Sequence, residues 1–522
     1  ADRLGLTTGW GPSEAELDRA VRHARRLSLP ELAGQVIVAS WSGTAAPVHT
    51  VRSLHLGGVI AFADNIISPR QIAAVNRTLG RQVRRPWPLF LSVDQEGGVV
   101  ERAPTTGFPA FMSAGAAGDA RLAEGAYRRY GAELAGLGFT VDFAPVADVT
   151  IGPDDPTIGS RSAGSYRGLV AEQVDAAATG LAQGGVVPVL KHFPGHGSVT
   201  ADSHLTLPVQ TRSLRELRRI DLVPFAAAVD AGQPAVMVGH LDVRAVDPRV
   251  PSSLSRDVVT GLLRRELGFG GLVVTDSLQM AAVTRGRDPA TVAVRAIRAG
   301  ADVLLMPPDP AIARDALVRA VRRGSLPRGR LVQAAARQIA LLTHAEQGTA
   351  RPARLGSARS ASRRLSAAAI TVVSGPCDGR LVEKAVVPVG DPAGVAAFGR
   401  AARVAGLEIL VRRDPPGRLA NPRTRRERRR LAAWRAEEEV RLSAGTRIGF
   451  TGYGGGPVAA EIAVATDTPY PLGRSRARIR IATYGDTPGA MASLVDVLVG
   501  KAPAPGRLPV EVAGVPRQGC HH

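Results

Sequence analysis

Short runs of consecutive apolar residues recur along the first two thirds of the chain, separated by longer stretches in which apolar positions return every three or four residues. The runs fall at residues 36–39, 58–62, 89–93, 143–146, 186–190, 235–238, 271–274 and 302–306. Helix-length amphipathic segments precede and separate them, at 14–29, 69–83, 120–137, 168–183, 214–231, 255–267 and 288–299. Continuous apolar runs alternating with helical patterns describe strands of a parallel sheet buried on both faces. Eight of them predict an α/β fold, a (β/α)₈ TIM barrel. An open doubly wound sheet gives the same alternation, and the polar residues decide between the two. Asp94, Asp148, Lys191 with His192, His240 and Asp276 each stand at the carboxyl end of a different run. In a barrel that rim carries the active site.

The pattern divides the chain. Residues 1–345 read as the catalytic barrel, and 346–366 turn to Arg, Ala, Ser, Gly and Pro without clear periodicity, as in an exposed linker. Apolar runs resume at 369–373, 385–389, 407–410, 447–450 and 478–481, alternating with helical segments. They predict a smaller α/β domain over 367–522. The length of 522 residues agrees, since one core rarely organises so long a chain.

Composition adds charge to this picture. The net charge is +20, from 66 Lys and Arg against 46 Asp and Glu. Such a field favours an anionic partner. No zinc-finger spacing, aromatic RNA-binding signature or helix-turn-helix accompanies it, so no nucleic acid is expected. The arginine-rich stretch 423–435 reads as a solvated helix face, with contact to an anionic cell-wall polymer as the alternative. Gly-rich 452–457 lacks the Lys-Ser/Thr of a phosphate loop. The two cysteines, Cys377 and Cys520, make neither a disulfide framework nor a guide to compartment. No apolar run approaches the length of a membrane span, so no transmembrane segment is expected. The chain starts at Ala1 and ends in His521-His522; a removed targeting segment and a tag remnant are the expectations these ends raise. With the basic charge they suggest a secreted or envelope-associated protein, with a cytoplasmic one as the alternative.

The densest chemistry follows the fifth run, in Lys191-His192-Phe193-Pro194-Gly195-His196-Gly197 and Asp202-Ser203-His204, which hold three of the ten histidines. A carboxylate two residues from an imidazole orients the ring and favours its protonated form, making the pair a general acid. A metal reading competes, because His192, His196, His204 and Asp202 are ligand types. The helix that the His192–His196 spacing needs is opposed by Pro194, Gly195 and Gly197, so no metal is expected; no organic cofactor is expected either. Asp276, ending the seventh run, is a nucleophile, a general base or a helix cap. A carboxylate facing a proton donor is the constellation of a retaining glycosidase. Asp94 accepts hydrogen bonds from sugar hydroxyls in this reading, and Arg102, Arg161 and Lys191 donate them.

In order, Asp94-Gln95-Glu96-Gly97-Gly98, Ile158-Gly159-Ser160-Arg161-Ser162, the Lys191 to Gly197 segment, Asp202-Ser203-His204 and Thr275-Asp276-Ser277-Leu278-Gln279-Met280 resemble glycoside hydrolase family 3. The resemblance is to its β-N-acetylglucosaminidases with an Asp-Ser-His loop, and spans the barrel. The second domain is more loosely similar to the sandwich that some members append, at Tyr484-Gly485-Asp486 and at 506–510. The resemblance implies Asp276 as nucleophile, His204 as acid/base, Asp202 as its partner, and Asp94, Arg102, Arg161, Lys191 and His192 as sugar-binding residues. The implied activity is a retaining exo-β-N-acetylglucosaminidase acting on peptidoglycan fragments or chitooligosaccharides, through a covalent glycosyl-enzyme. Alternatives are a non-catalytic wall-glycan-binding protein, a β-GlcNAc phosphorylase, since a neutral imidazole repels phosphate less than a carboxylate does, and a β-glucosidase. Val99 and Ala163 depart from the family pattern, where an Arg and an aromatic are usual, and are expected to reshape the pocket.

Overall fold

The computed structural model describes residues 1–348 and 350–515. They form two compact units, one of Ala1–Gly107 with Asp119–Ala361, the other of Phe108–Gly118 with the described residues from Ser362 onward. Cys520, His521 and His522 lie outside the described residues.

Seven of the eight apolar runs of the first unit overlap a strand and the fourth run directly follows one, giving eight strands. They are β1 (Ile37–Ala39), β2 (Gly58–Ala61), β3 (Phe90–Val93), β4 (Val141–Asp142), β5 (Val187–Pro188 and Leu190–Phe193), β6 (Ala235–Val238), β7 (Leu272–Thr275) and β8 (Leu304–Leu305). Every residue of these strands is buried, which is why the runs are continuous rather than alternating. Pairing is parallel throughout, in the order β8-β1-β2-β3-β4-β5 and then β5-β6-β7. The Val274–Val303 bridge and the Thr275 N–H donated to Val303 O at 3.0 Å join β7 to β8 and close the ring. The closed ring is a (β/α)₈ barrel and not an open sheet.

The fourth strand lies ahead of the expected 143–146. Pro145 has no N–H to give to a ladder, so the run continues past Asp142 irregularly, with one bridge from Val146 to Lys191. The helices begin where the sequence supplies caps. Ser13 with Glu16, Ser28 with Glu31 and Ser213 with Glu216 form capping boxes, and Ser68, Asp288 and Asp309 cap helices with Pro in the first turn.

The expected linker is partly helical: Arg359–Ala369 forms a helix with Ala361, Leu365 and Ala369 buried at four-residue spacing. Alanines mark a helical stripe weakly, so the segment looks unpatterned in sequence. In the second unit a six-stranded sheet runs in the order β9-β14-β13-β12-β10-β11. Its strands are β9 (Thr371–Ser374), β10 (Ala385–Gly390), β11 (Glu408–Ile409), β12 (Thr446–Thr451), β13 (Ile462–Ala465) and β14 (Ile479–Ala482), parallel except for β9 against β14. Helices Pro392–Val404 and Pro488–Leu498 cover one face through Phe398, Met491 and Leu494, packed with Ile448, Phe450, Val464 and Ile481. Met112 and Ala116, from a segment within the barrel sequence, join Ala463, Ala482 and Tyr484 in the cluster on alternate strand positions. With apolar cover on both faces the sheet forms an α/β sandwich.

Candidate active site

At the carboxyl rim of the barrel a pocket of about 400 Å³ is lined by residues from several strand ends. Among them are Asp94, Glu96, Arg102, Arg161, Lys191, His192, His196, Ser203, His204 and Asp276. The catalytic and sugar-binding candidates named from sequence all line it except Asp202, which is bonded to His204, while the strand-end residues Asp148 and His240 are not among its lining residues.

Lys191 leaves β5 buried, and its Nζ donates to Asp94 Oδ1 at 2.7 Å and pairs with Glu96 Oε1 at 2.6 Å. Arg161 makes a fork on Glu96, Nε to Oε2 at 2.8 Å and Nη2 to Oε1 at 2.9 Å. Two carboxylates thus balance two cations in one connected set. Burial alone would push the Glu96 carboxyl up, but Arg161 and Lys191 outweigh it and hold the group at about 2. A strand-end position singles out Asp94 but not Glu96. Its signal was alternation: two residues after Asp94 in an extended segment, it points to the same side.

Asp148 lies wholly buried behind β5. It accepts the His196 N–H on Oδ1 at 2.6 Å, and its Oδ2 sits 2.7 Å from His192 Nδ1. Burial opposes its ionisation, and His192 and His196 overcome that and lower its pKa. The ring of His192 is therefore oriented from behind and faces the pocket with its other edge. Asp142 in β4 accepts the Gln95 N–H at 3.0 Å, while its second oxygen has no partner among the described residues. Burial pushes this carboxyl well above its ordinary range.

His204 Nδ1 lies 2.7 Å from Asp202 Oδ1, which also accepts the His204 N–H at 2.8 Å. The aspartate holds ring and backbone together, leaving Nε2 as the free edge of the imidazole. Burial of Asp202 is outweighed by these two bonds, and its pKa is lowered. The loop is also pinned from within the barrel: His196 Nε2 stands 3.0 Å from Ser203 Oγ, between the two members of the dyad.

Asp276 follows β7, with its N–H bonded to Val238 O at 2.9 Å and its Oδ1 accepting the Ser277 N–H at 2.7 Å. Burial raises its pKa, but His192, His240, the Ser277 amide and Lys191 prevail and keep it low. It is an ionised carboxylate on the pocket wall. His240, at the end of β6, steadies the same turn through Nε2 to Ser277 O at 2.9 Å, with its Nδ1 2.7 Å from Ser253 Oγ. Arg102 lines the pocket with a guanidinium that makes no hydrogen bond or ion pair to the described residues, its backbone N–H going to Gln95 Oε1 at 2.7 Å. Val99 and Ala163, expected to reshape the pocket, are not among its lining residues.

The geometry separates the metal reading's ligands. His192, His196 and His204 each commit a ring nitrogen to a different partner, and no three His, Cys, Asp or Glu among the described residues converge on one point. What remains is an ionised carboxylate, a carboxylate-backed imidazole and a connected set of charged side chains around one pocket. That is equipment for transfer at an acetal carbon.

Known proteins agree with this reading of the barrel. Residues 29–341 match the Glycosyl hydrolase family 3 N terminal domain. The chain is 37% identical over 314 residues to the β-hexosaminidase LpqI of Mycobacterium tuberculosis, covering 58% of this chain and 79% of that one. It is 35% identical over 274 residues to β-hexosaminidase A of Pseudoalteromonas piscicida, covering 48% of this chain and 46%, under half, of that one. A glycoside hydrolase family 3 β-N-acetylglucosaminidase from Paenibacillus sp. FPU-7 superimposes with a TM-score of 0.80 at 29% identity, over 93% of this chain and 99% of that one. The family match spans more than half of the sequence and includes every strand end that lines the pocket, and the chain belongs to glycoside hydrolase family 3.

Proposed function

We propose that this glycoside hydrolase is a retaining exo-β-N-acetylglucosaminidase that removes a terminal, non-reducing β-linked GlcNAc. The observation that carries the reading is the convergence of Asp276 and the Asp202–His204 dyad on one pocket. The β-hexosaminidase relatives support the choice of sugar.

Lys191, Asp94 and Arg161 hold the terminal sugar, with His192 set by Asp148 and Arg102 supplying a further donor. Ionised Asp276 attacks the anomeric carbon as the glycosidic bond breaks, and His204 Nε2 gives its proton to the leaving oxygen. Asp202 stabilises the imidazolium beforehand and keeps the remaining N–H on Nδ1. The resulting glycosyl ester on Asp276 is opened by water, whose proton returns to His204 Nε2, so two inversions give net retention. An imidazole here takes the part that a second carboxyl takes in most retaining enzymes.

Peptidoglycan-derived GlcNAc-MurNAc fragments are the proposed natural substrates, at an exported or envelope-attached location. The exposed arginines of helix Arg425–Leu442 are proposed to contact an anionic wall polymer. The test is release of 4-nitrophenol from its β-GlcNAc glycoside, with the sugar product identified. Turnover yielding free GlcNAc is expected in the parent and its loss by at least about 10³-fold in Asp276→Ala. A parent without turnover, or equal turnover in the variant, would refute the reading; GlcNAc 1-phosphate formed on adding phosphate would convert it to phosphorolysis.

A further inference from the structure

The amino-terminal face of the barrel, at the opposite ends of the strands, contains a second concave site. An open cavity of about 880 Å³ is lined by helix Leu29–Gln35, the end of helix Val48–Ser53 and residues 81–87, which lead from helix Pro69–Gln82 into β3. Arg52, Arg81, Arg84, Arg85 and His55 line it against one carboxylate, Glu31. Glu31 is already engaged, accepting the Ser28 N–H at 2.8 Å as part of a capping box. The lining therefore carries an excess of three positive charges with histidine neutral.

Arg85 is the telling residue. Its two terminal nitrogens donate to Gln35 Oε1 and to Leu56 O, each at 2.9 Å, both uncharged acceptors. Gln35 is itself fixed by donating to Gln338 Oε1 at 2.6 Å. These bonds aim the guanidinium without neutralising it. Burial lowers its pKa to about 10, and no carboxylate among the described residues pairs with it. A part-buried cation without a counter-charge is costly, and an anion would complete it. Arg52 and Arg81 stand in the last turns of their helices, where the macrodipole favours a cation. Arg84 and Arg85 lie beyond a helix end and have no such reason to be there.

We propose that this cavity binds a small phosphate monoester, with the oxyanion on Arg85 and between the Arg52 and Arg84 forks. Several arginines and a net excess of charge suit a dianion better than a single carboxylate, and the fork geometry suits phosphate oxygens. The volume is that of a small-molecule site. Leu27, Val51, Val83 and Trp87, the last packed 5.4 Å from His23 between ring centroids, supply an apolar wall for the organic group.

The test is calorimetric titration of the full chain with glucose 6-phosphate, inorganic phosphate and glucose at matched ionic strength. Both phosphates should bind and glucose should not. The rim variant R52Q/R84Q should weaken phosphate binding about tenfold. Its unliganded thermal transition and its 4-nitrophenyl β-GlcNAc turnover should stay at the parent's values. No binding heat from either phosphate, or parent affinity in R52Q/R84Q, would overturn the proposal. So would binding confined to a glycerol-phosphate polymer.

Discussion

Glu96 connects both cations of the charged set proposed to bind the sugar, since Arg161 and Lys191 meet on its two oxygens while Asp94 touches Lys191 alone. Replacing it with Gln keeps the shape and leaves three charges, two of them cations with one carboxylate between them. Breaking a buried pair costs a few kcal/mol, so Glu96→Gln should lower kcat/KM on the order of 10²-fold with the fold retained. Steady-state kinetics and far-UV circular dichroism decide; a loss below about threefold would assign the set to support rather than to binding. The carboxyl is held at about 2 against an ordinary 4.5, so the stability it contributes is present above pH 4.5 and is lost as pH falls towards 2. The sequence made the surrounding residues legible because each ends a strand or sits in a dense polar motif. Glu96 was harder to find, being hidden between glutamine and two glycines with no strand end to mark it, and Asp148 was visible only as a strand end. That Asp148 stands behind His192 is a contact between chain segments, which spacing does not encode.

The loop from Lys191 to His204 hangs from β5 and returns to it through His196, the element that fixes where the dyad lies. His196 is buried, and burial reinforced by His192 pushes its pKa down to about 4 from 6.5. The unfolded chain therefore takes up a proton on this histidine at a higher pH than the folded one. Its contribution to stability is complete above pH 6.5 and falls as pH drops through 4, by up to ~3 kcal/mol. Urea midpoints at pH 7.5 and 5 should separate in the parent and draw together in His196→Asn; an unchanged separation in the variant would assign the acid sensitivity elsewhere. The same scale explains how much of the fold was readable. Fully buried parallel strands write themselves as continuous apolar runs, and Ser, Asp and Pro caps mark the helices between them, so the eightfold alternation was explicit. Two features escaped it. Pro145 displaced β4, and the helix Arg359–Ala369 buries alanines that carry little hydrophobic signal. Nor does periodicity show that 108–118, inside the barrel sequence, belongs with the second unit.

The charge of +20 is a property of the whole molecule, and helix Arg425–Leu442 concentrates part of it. Only Leu431, Glu438 and Leu442 of that helix are buried, so it is polar almost all round and lacks the apolar stripe of a helix that lies in a membrane. Among the described residues no helix is long and apolar enough to cross one. At the other end of the helix Glu438 and Glu439 engage Arg412, Arg441 and Arg447. Arg425, Arg426, Arg429 and Arg430 are exposed and form no ion pair with the described residues. Arg425 with Arg429, and Arg426 with Arg430, are neighbours one turn apart, where like charges repel. A polyanion laid along them relieves that repulsion, which gives the proposed wall contact its driving force. The replacement R425Q/R426Q/R429Q/R430Q should therefore weaken co-sedimentation with a glycerol-phosphate polymer severalfold at low salt. Parent binding should itself fade as salt shortens the screening length to about 10 Å near 0.1 M. Turnover of a small soluble glycoside should not change in the variant, because that substrate meets only the barrel pocket. Retention that survives the four substitutions would move the contact to another basic face of the molecule, and retention that ignores salt would show that charge is not what holds the polymer.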